Sequence, residues 1–168
     1  SNNQRISSND VLSALAIKEL VGKQPGFWSS DIGLTIPIDV RRQIKEYGGR
    51  FFGNGIMLHA VKLKTNFVEH SPVAKIALQI RRSMPLISKE AYLKYLRGLE
   101  EIIELGKIDE LRPFDPGSGC LVTNLSKMPA EKVNFGGGPP ELVLPLTVEK
   151  NSAAILAKKE NYVLRYAY

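Results

Sequence analysis

The chain has 168 residues, 43% of them hydrophobic and 24% charged, and a net charge of +6 at neutral pH. That length suits one domain, residues 1–168, with a core of its own, and the composition excludes a disordered or low-complexity chain. No apolar run approaches the ~18 residues of a membrane span, the polar N-terminus predicts no signal peptide, and Cys120 as the single cysteine excludes an internal disulfide or a cysteine-built metal site. A lone cysteine fits a reducing, cytoplasmic setting. The positive charge would suit nucleic acid, an anionic membrane or an anionic cofactor. The basic residues, however, come only in pairs such as Arg41-Arg42, Arg81-Arg82 and Lys158-Lys159, which read as solvated surface. No aromatic-rich strand accompanies them to stack bases, so nucleic acid is not expected.

Residues 7–21 predict a helix. Ser7 and Asp10 have the spacing of a capping box, apolar residues recur at Val11, Leu12, Leu15, Ala16 and Leu20, and Gly22 follows as a stop. After the loop GKQPGFWSSD, IGLTIPIDV predicts a strand, RRQIKEYGG a turn or short helix, and GIMLHAVKLK a second strand. Two amphipathic helices are predicted over about 69–84 and 88–105. The second carries a stripe of Tyr92, Leu93, Leu96, Leu99 and Ile103, with Ser88 to cap it and Gly106 to end it. The loop DELRPFDPGSG leads to the short strand CLVTNL, and ELVLPLTVE, SAAILAKK and NYVLRYAY read as further strands. The interspersed elements predict a mixed α/β or α+β layer architecture. The chain opens on a helix cap and ends within an apparent strand, as a piece of something longer would.

The usual catalytic motifs are missing. His59 and His70 are the only histidines, and neither begins a His-x-x-x-Asp stretch; no HExxH or GxSxG occurs either. His59 shares a strand face with Met57, Val61 and Leu63 and reads as a satisfied core residue, while His70 reads as surface. The costly VNFGGGPP stretch, residues 133–140, is not a phosphate loop. Strand-like sequence rather than a helix N-terminus follows it, and no Lys-Ser or Lys-Thr pair is present.

Its neighbours carry more information. The segment TNLSKMPAEKVNFGGGPP, residues 123–140, resembles without a gap the C-terminal signature of the BAHD-type, CoA-dependent acyltransferases: T-S-W-x-x-L-P, a spacer, then D-F-G-W-G and a proline. Thr123, Pro129, Phe135, Gly136, Gly138 and Pro140 fall on the matching positions. IPIDVRRQIKEYGGRFFGNGI resembles the family's V-D-x-R, loop, Y-F-G-N stretch through Asp39, Arg41, Phe52, Gly53 and Asn54. SSNDVLSALAIKEL resembles the Ser/Thr-x-x-Asp opening of the helix before it. The departures are Asn134 for the box aspartate, Gly137 for its tryptophan, and Asn124-Leu125 for Ser-Trp.

The resemblance implies the C-terminal half of a divergent acyltransferase of the BAHD-type or wider condensation superfamily. The implied fold is a mixed β-sheet with helices packed on it, a chloramphenicol-acetyltransferase-like half-domain. The general-base histidine would lie in a missing N-terminal half, which would be a partner of this chain and without which it would be inactive. The implied reaction moves an acyl group from CoA or an acyl-carrier protein to a small-molecule hydroxyl or amine. Acyl-CoA would be a co-substrate, and no tightly bound cofactor is implied. Thr123, with Asn124 beside it, would face the reacting carbonyl. Leu125 would line the acyl pocket, and Ser7, Ser8 and Asn54 are candidates for contacting the thioester arm. Asp39, Arg41, Asn134, Phe135, Gly136 and Gly138 would be structural, with Asn134 able to replace the aspartate as a neutral partner of Arg41. The bland alternative is that Thr123 and Asn124 only end a strand. The alternative function is a non-catalytic module of this fold that binds a thioester or carrier protein.

Overall fold

A computed structural model describes residues 5–41, 43–47, 51, 53–129, 132–141, 143, 145, 149–158 and 160–168. Helix α1 spans Ser8–Lys23, and Ser7 caps it by the predicted box: its side chain accepts from the Asp10 N–H while Asp10 accepts from the Ser7 N–H. Strands β1 (Asp31–Asp39) and β2 (Ile56–Lys64) follow, and after β1 the Ile44 N–H donates to Val40 O in a turn. The helix predicted over 69–84 is instead two, α2 (Thr65–His70) and α3 (Val73–Ser83). Pro72 causes the break. It lacks an N–H and forces Ser71 into extended backbone, at φ −84° and ψ 149°. Helix α4 (Lys89–Glu104) starts on the Ser88 cap and stops at Gly106, whose φ of 69° is left-handed. Strands β3 (Gly119–Asn124), β4 (Ser152–Lys158) and β5 (Asn161–Ala167) complete the fold. Much of the ELVLPLTVE stretch, predicted as a strand, lies outside the described residues; its described members Glu141, Val143, Pro145 and Glu149 are not in a strand.

The sheet has the order β2-β1-β3-β4-β5. Its three middle strands run parallel, and β2 and β5 return antiparallel at the edges. Ile32, Leu34 and Ile36 of β1, Val61 and Leu63 of β2, Cys120 and Val122 of β3, and Ala153 and Ile155 of β4 lie on one face. They are buried under Ile17, Leu20 and Val21 of α1, Val68 of α2 and Ile76 and Ile80 of α3. Every second residue of each strand therefore meets one helical layer, as a period of two requires. A smaller apolar cluster continues along the same face, where Ile38, Val40, Ile44 and Met57 meet Tyr92. Loop 111–118 crosses the opposite face, and Thr35 Oγ1 donates to Pro113 O there at 3.0 Å.

Close approach of β1 and β3 depends on glycine at one position. A Cβ on Gly119 would lie 2.9 Å from Gly33 O and 3.4 Å from Asp115 O, both backbone atoms that cannot swing aside. Gly119→Ala is expected to cost about 1–3 kcal/mol in urea unfolding through overpacking. Gly33→Ala, whose Cβ would meet nothing nearer than 3.9 Å, provides the contrast with a small change.

Burial pushes the Cys120 thiol up from its ordinary 9.0 to about 12. Ionisation then favours the unfolded chain, so this residue makes stability fall as pH rises between about 9 and 12 and leaves it unchanged below. Cys120→Ala should flatten that part of a stability–pH curve. Native Cys120 should resist a thiol reagent at pH 8 that labels it after unfolding.

Candidate active site

Of the residues singled out in the sequence, Ser7, Ser8, Asp39, Arg41, Asn54 and Thr123–Leu125 lie along one edge of the sheet, at the C-terminal ends of the parallel strands. In open α/β sheets this is where ligands bind. Asp39 ends β1, Asn54 precedes β2, and Thr123 and Asn124 end β3, with Leu125 next to them. Helix α1 begins at this same edge, since Asn124 Nδ2 donates to Asn9 Oδ1 at 2.7 Å.

Thr123 and Asn124 point to opposite faces. Asn124 has the parity of Cys120 and Val122 and turns under the first turn of α1. Its Oδ1 accepts from Ser126 N–H at 3.0 Å and Ser126 Oγ–H at 2.6 Å, which turns the chain out of β3. Both polar atoms of the Asn124 side chain are thus engaged, as the bland alternative requires. Thr123 is half-buried, sits opposite Ala154 in the register, and lies on the face away from α1. Among the described residues its hydroxyl makes no hydrogen bond, so that donor is free. Leu125 is half-buried and tied to β4 by its N–H to Ile155 O at 2.8 Å.

An ion pair between a buried carboxylate and a half-buried arginine underlies the Asn9 end of the site. Asp10 is 1% exposed, yet its Oδ2 accepts from Arg81 Nη2 at 2.6 Å, Arg81 Nε at 2.8 Å, and Ser7 N–H and Oγ–H at 2.7 Å each. Arg81 Nη2 also donates to Ser7 Oγ at 2.7 Å. Arg81 was expected to be solvated surface; it is instead the clamp between α3 and the start of α1. Arg81 and Asn9 are the two members of this edge that sequence reasoning missed. Arg81 lies 71 residues from Asp10, and only packing α3 on α1 brings them together. Ser7 is held in this network, while Ser8 is exposed on the first turn.

The β1–β2 end of the edge is built separately. Arg41 pairs with Asp39 from its own D-x-R motif, Nε to Oδ1 at 2.8 Å and Nη2 to Oδ2 at 2.9 Å. This hydrogen bond raises the Arg41 pKa further above its ordinary value. A Cβ on Gly55 would collide with the aliphatic stem of Arg41, so the glycine makes room for the pair. The expected Asn134–Arg41 bond is not formed. Asn134 Oδ1 instead accepts from Gly136 N–H at 2.8 Å and Gly138 N–H at 3.1 Å, closing its own glycine turn. Gly136 and Gly138, at φ 100° and 102°, occupy left-handed backbone that other residues adopt only under strain. Phe135 is 97% exposed at the tip. Phe52 lies outside the described residues. Asn54 is exposed, and its carbonyl accepts from Tyr92 O–H at 3.0 Å.

Neither histidine reaches the Thr123 edge as a free base. His59 Nε2 is bonded to Ser83 O at 2.8 Å at the end of α3. His70 closes α2, beyond the end of β2 and at the opposite edge of the sheet. The described residues contain no cluster of potential metal ligands and no helix long and apolar enough to cross a membrane.

No family model matches the chain, and no curated protein matches it in sequence. Solved structures do. Vinorine synthase superposes with a TM-score of 0.66 at 13% identity, over 98% of this chain and 38% of that one. F. graminearum TRI101, complexed with coenzyme A and T-2 mycotoxin, gives 0.66 at 15% identity over 95% and 38%. The same protein without ligand gives 0.63 at 17% over 92% and 36%. The chain thus spans little more than a third of the length of these structures while nearly all of it superposes. At such identities the likeness concerns the fold, and the chain has the mixed-sheet fold found in part of vinorine synthase and TRI101.

Proposed function

We propose that this chain is the C-terminal half of an acyltransferase that moves an acyl group from a CoA or carrier-protein thioester to a hydroxyl or amine. The observation that carries this reading is the free Thr123 hydroxyl at the C-terminal end of a parallel strand, in a fold shared with a chain crystallised with coenzyme A. A tetrahedral intermediate at a thioester carbonyl needs donors aimed at its oxyanion, and Thr123 supplies one. Asn124 is the brace that holds the end of β3 against α1 through Asn9. Leu125, and Ser8 on the first turn of α1, border the same edge and would face the acyl chain and thioester arm. With His59 and His70 placed elsewhere, the general base comes from the N-terminal half. It removes the proton from the acceptor's oxygen or nitrogen as that oxygen or nitrogen attacks the carbonyl; the tetrahedral intermediate then collapses, the C–S bond breaks, and the base returns the proton to the leaving thiolate.

The test is thiol release from acyl-CoA by the complete protein, with alcohols and amines as acceptors. Acceptor-dependent release establishes the transferase reading. An upstream half that lacks His-x-x-x-Asp, together with no release, overturns it. Coenzyme A binding in that same protein, measured by titration calorimetry, would then mark the non-catalytic thioester-binding module. This second reading is favoured by one observation: the glycine box closes on Asn134 and is not bonded to Arg41.

A further inference from the structure

Helix α4 is attached by one side only. Tyr92 is its single buried residue and, with Leu96 and one side of Tyr95, docks on the cluster around Val40; the other side of Tyr95 is left to the groove. The predicted stripe is therefore only half covered: Leu93 is 38% and Ile103 51% exposed. About a quarter-turn round the helix, Ala91, Lys94, Tyr95, Gly98, Leu99 and Ile102 line an open groove. Within it Ala91, Tyr95, Gly98 and Ile102 alternate spacings of four and three, and Leu105, 70% exposed, continues the series. That is the spacing of a helix–helix seam.

Two further features of α4 are unfavourable in an isolated helix. Gly98 lies in its middle, where glycine is less favourable than alanine and leaves a side-chain-free notch with nothing within 4 Å of an added Cβ. The charges also oppose the helix dipole. The last turn carries Glu101 and Glu104 and no basic residue, while Lys94 and Arg97 precede Gly98. Lys94 and Glu101 flank the seam at equivalent positions one heptad apart, and neither is ion-paired within the chain among the described residues.

We infer that α4 pairs antiparallel with α4 of a second copy of this chain, about a two-fold axis near Gly98. One arrangement accounts for all three features. Self-complementary patches are what a two-fold interface requires. Antiparallel pairing sets Lys94 against Glu101 of the second copy twice over. It opposes the two helix dipoles and places each acidic C-terminal half beside a basic N-terminal half. The Gly98 notch lets the backbones approach at the axis, and Tyr95 and Ile102 cover each other on either side of it. The inference does not depend on the acyltransferase reading.

The 168-residue chain tests it directly. Sedimentation over a concentration series should show a monomer–dimer equilibrium. Lys94→Glu or Glu101→Lys alone should raise the dissociation constant about tenfold, and the double swap should restore it. Gly98→Cys, which has open space for its side chain, should form a disulfide-linked dimer under mild oxidation. Glu100→Cys, on the far side of the helix, should not. Buried Cys120 does not compete. A chain that stays monomeric, a dimer indifferent to the charge swaps, or equal cross-linking from positions 98 and 100 would each overturn the inference.

Discussion

Thr123→Val in the complete protein is expected, under the proposed function, to lower acyl-transfer turnover by about 10²–10³, the usual effect of removing one oxyanion donor, while leaving the fold intact. Valine has the shape of threonine and suits a strand at least as well. The lost hydroxyl has no hydrogen-bond partner among the described residues, so nothing buried is orphaned and stability should change by no more than about 0.5 kcal/mol. Threonine-to-serine keeps the donor and should recover most of the rate. Steady-state kinetics beside a thermal melt separates the outcomes. A fall in turnover with an unchanged melt places Thr123 at the reacting carbonyl. Unchanged turnover removes it from the site and leaves it as a strand residue.

The largest expected effect on stability belongs to Arg81→Met. It removes the cation from a carboxylate that is 1% exposed and leaves Asp10 buried without its main partner. Breaking one side of such a pair typically costs about 3–5 kcal/mol. The two donors from Ser7 remain and place the value near the lower end. Asp10→Ala/Arg81→Met removes both charges. It should be less damaging than the single change, with a residual cost of about 1–2 kcal/mol for the lost helix cap. Denaturant midpoints of the single and double variants decide the matter. A double variant worse than Arg81→Met would mean that the carboxylate acts mainly as a cap and not as a buried charge.

The relation of sequence to structure is clearest at the elements themselves. The Ser7–Asp10 capping box, the short apolar run of IGLTIPIDV, the alternation along GIMLHAVKLK, and the Ser88 and Gly106 ends of α4 are local signals, each set by residues within a few positions. They are legible because backbone hydrogen bonding and side-chain periodicity act over one or two turns. Pro72 was legible too, since a proline disfavours helix at the residue before it, yet the apolar periodicity across it suggested one helix where two form. The stripe on α4 was read correctly as amphipathic, but periodicity cannot say what covers an apolar face.

Residues of the motif resemblance lie at the ends of β1 and β3, but their hydrogen bonds differ from those the resemblance implies. Asn134 appeared to be Arg41's partner because the family pairs those positions. The folded loop instead turns Asn134 back on its own glycine amides and leaves Arg41 to Asp39, two residues away. Arg81 looked like half of a solvated basic pair because its partner lies on another helix. The sequence by itself therefore determined the limits of α1, β1, β2 and α4, because those choices depend on neighbours along the chain. Tertiary structure alone decided that Asn124 meets Asn9, that Asp10 is buried against Arg81, and that the Thr123 hydroxyl is left free. These depend on which surfaces are brought together when the helices pack on the sheet, and residues far apart in sequence carry no local mark of that meeting.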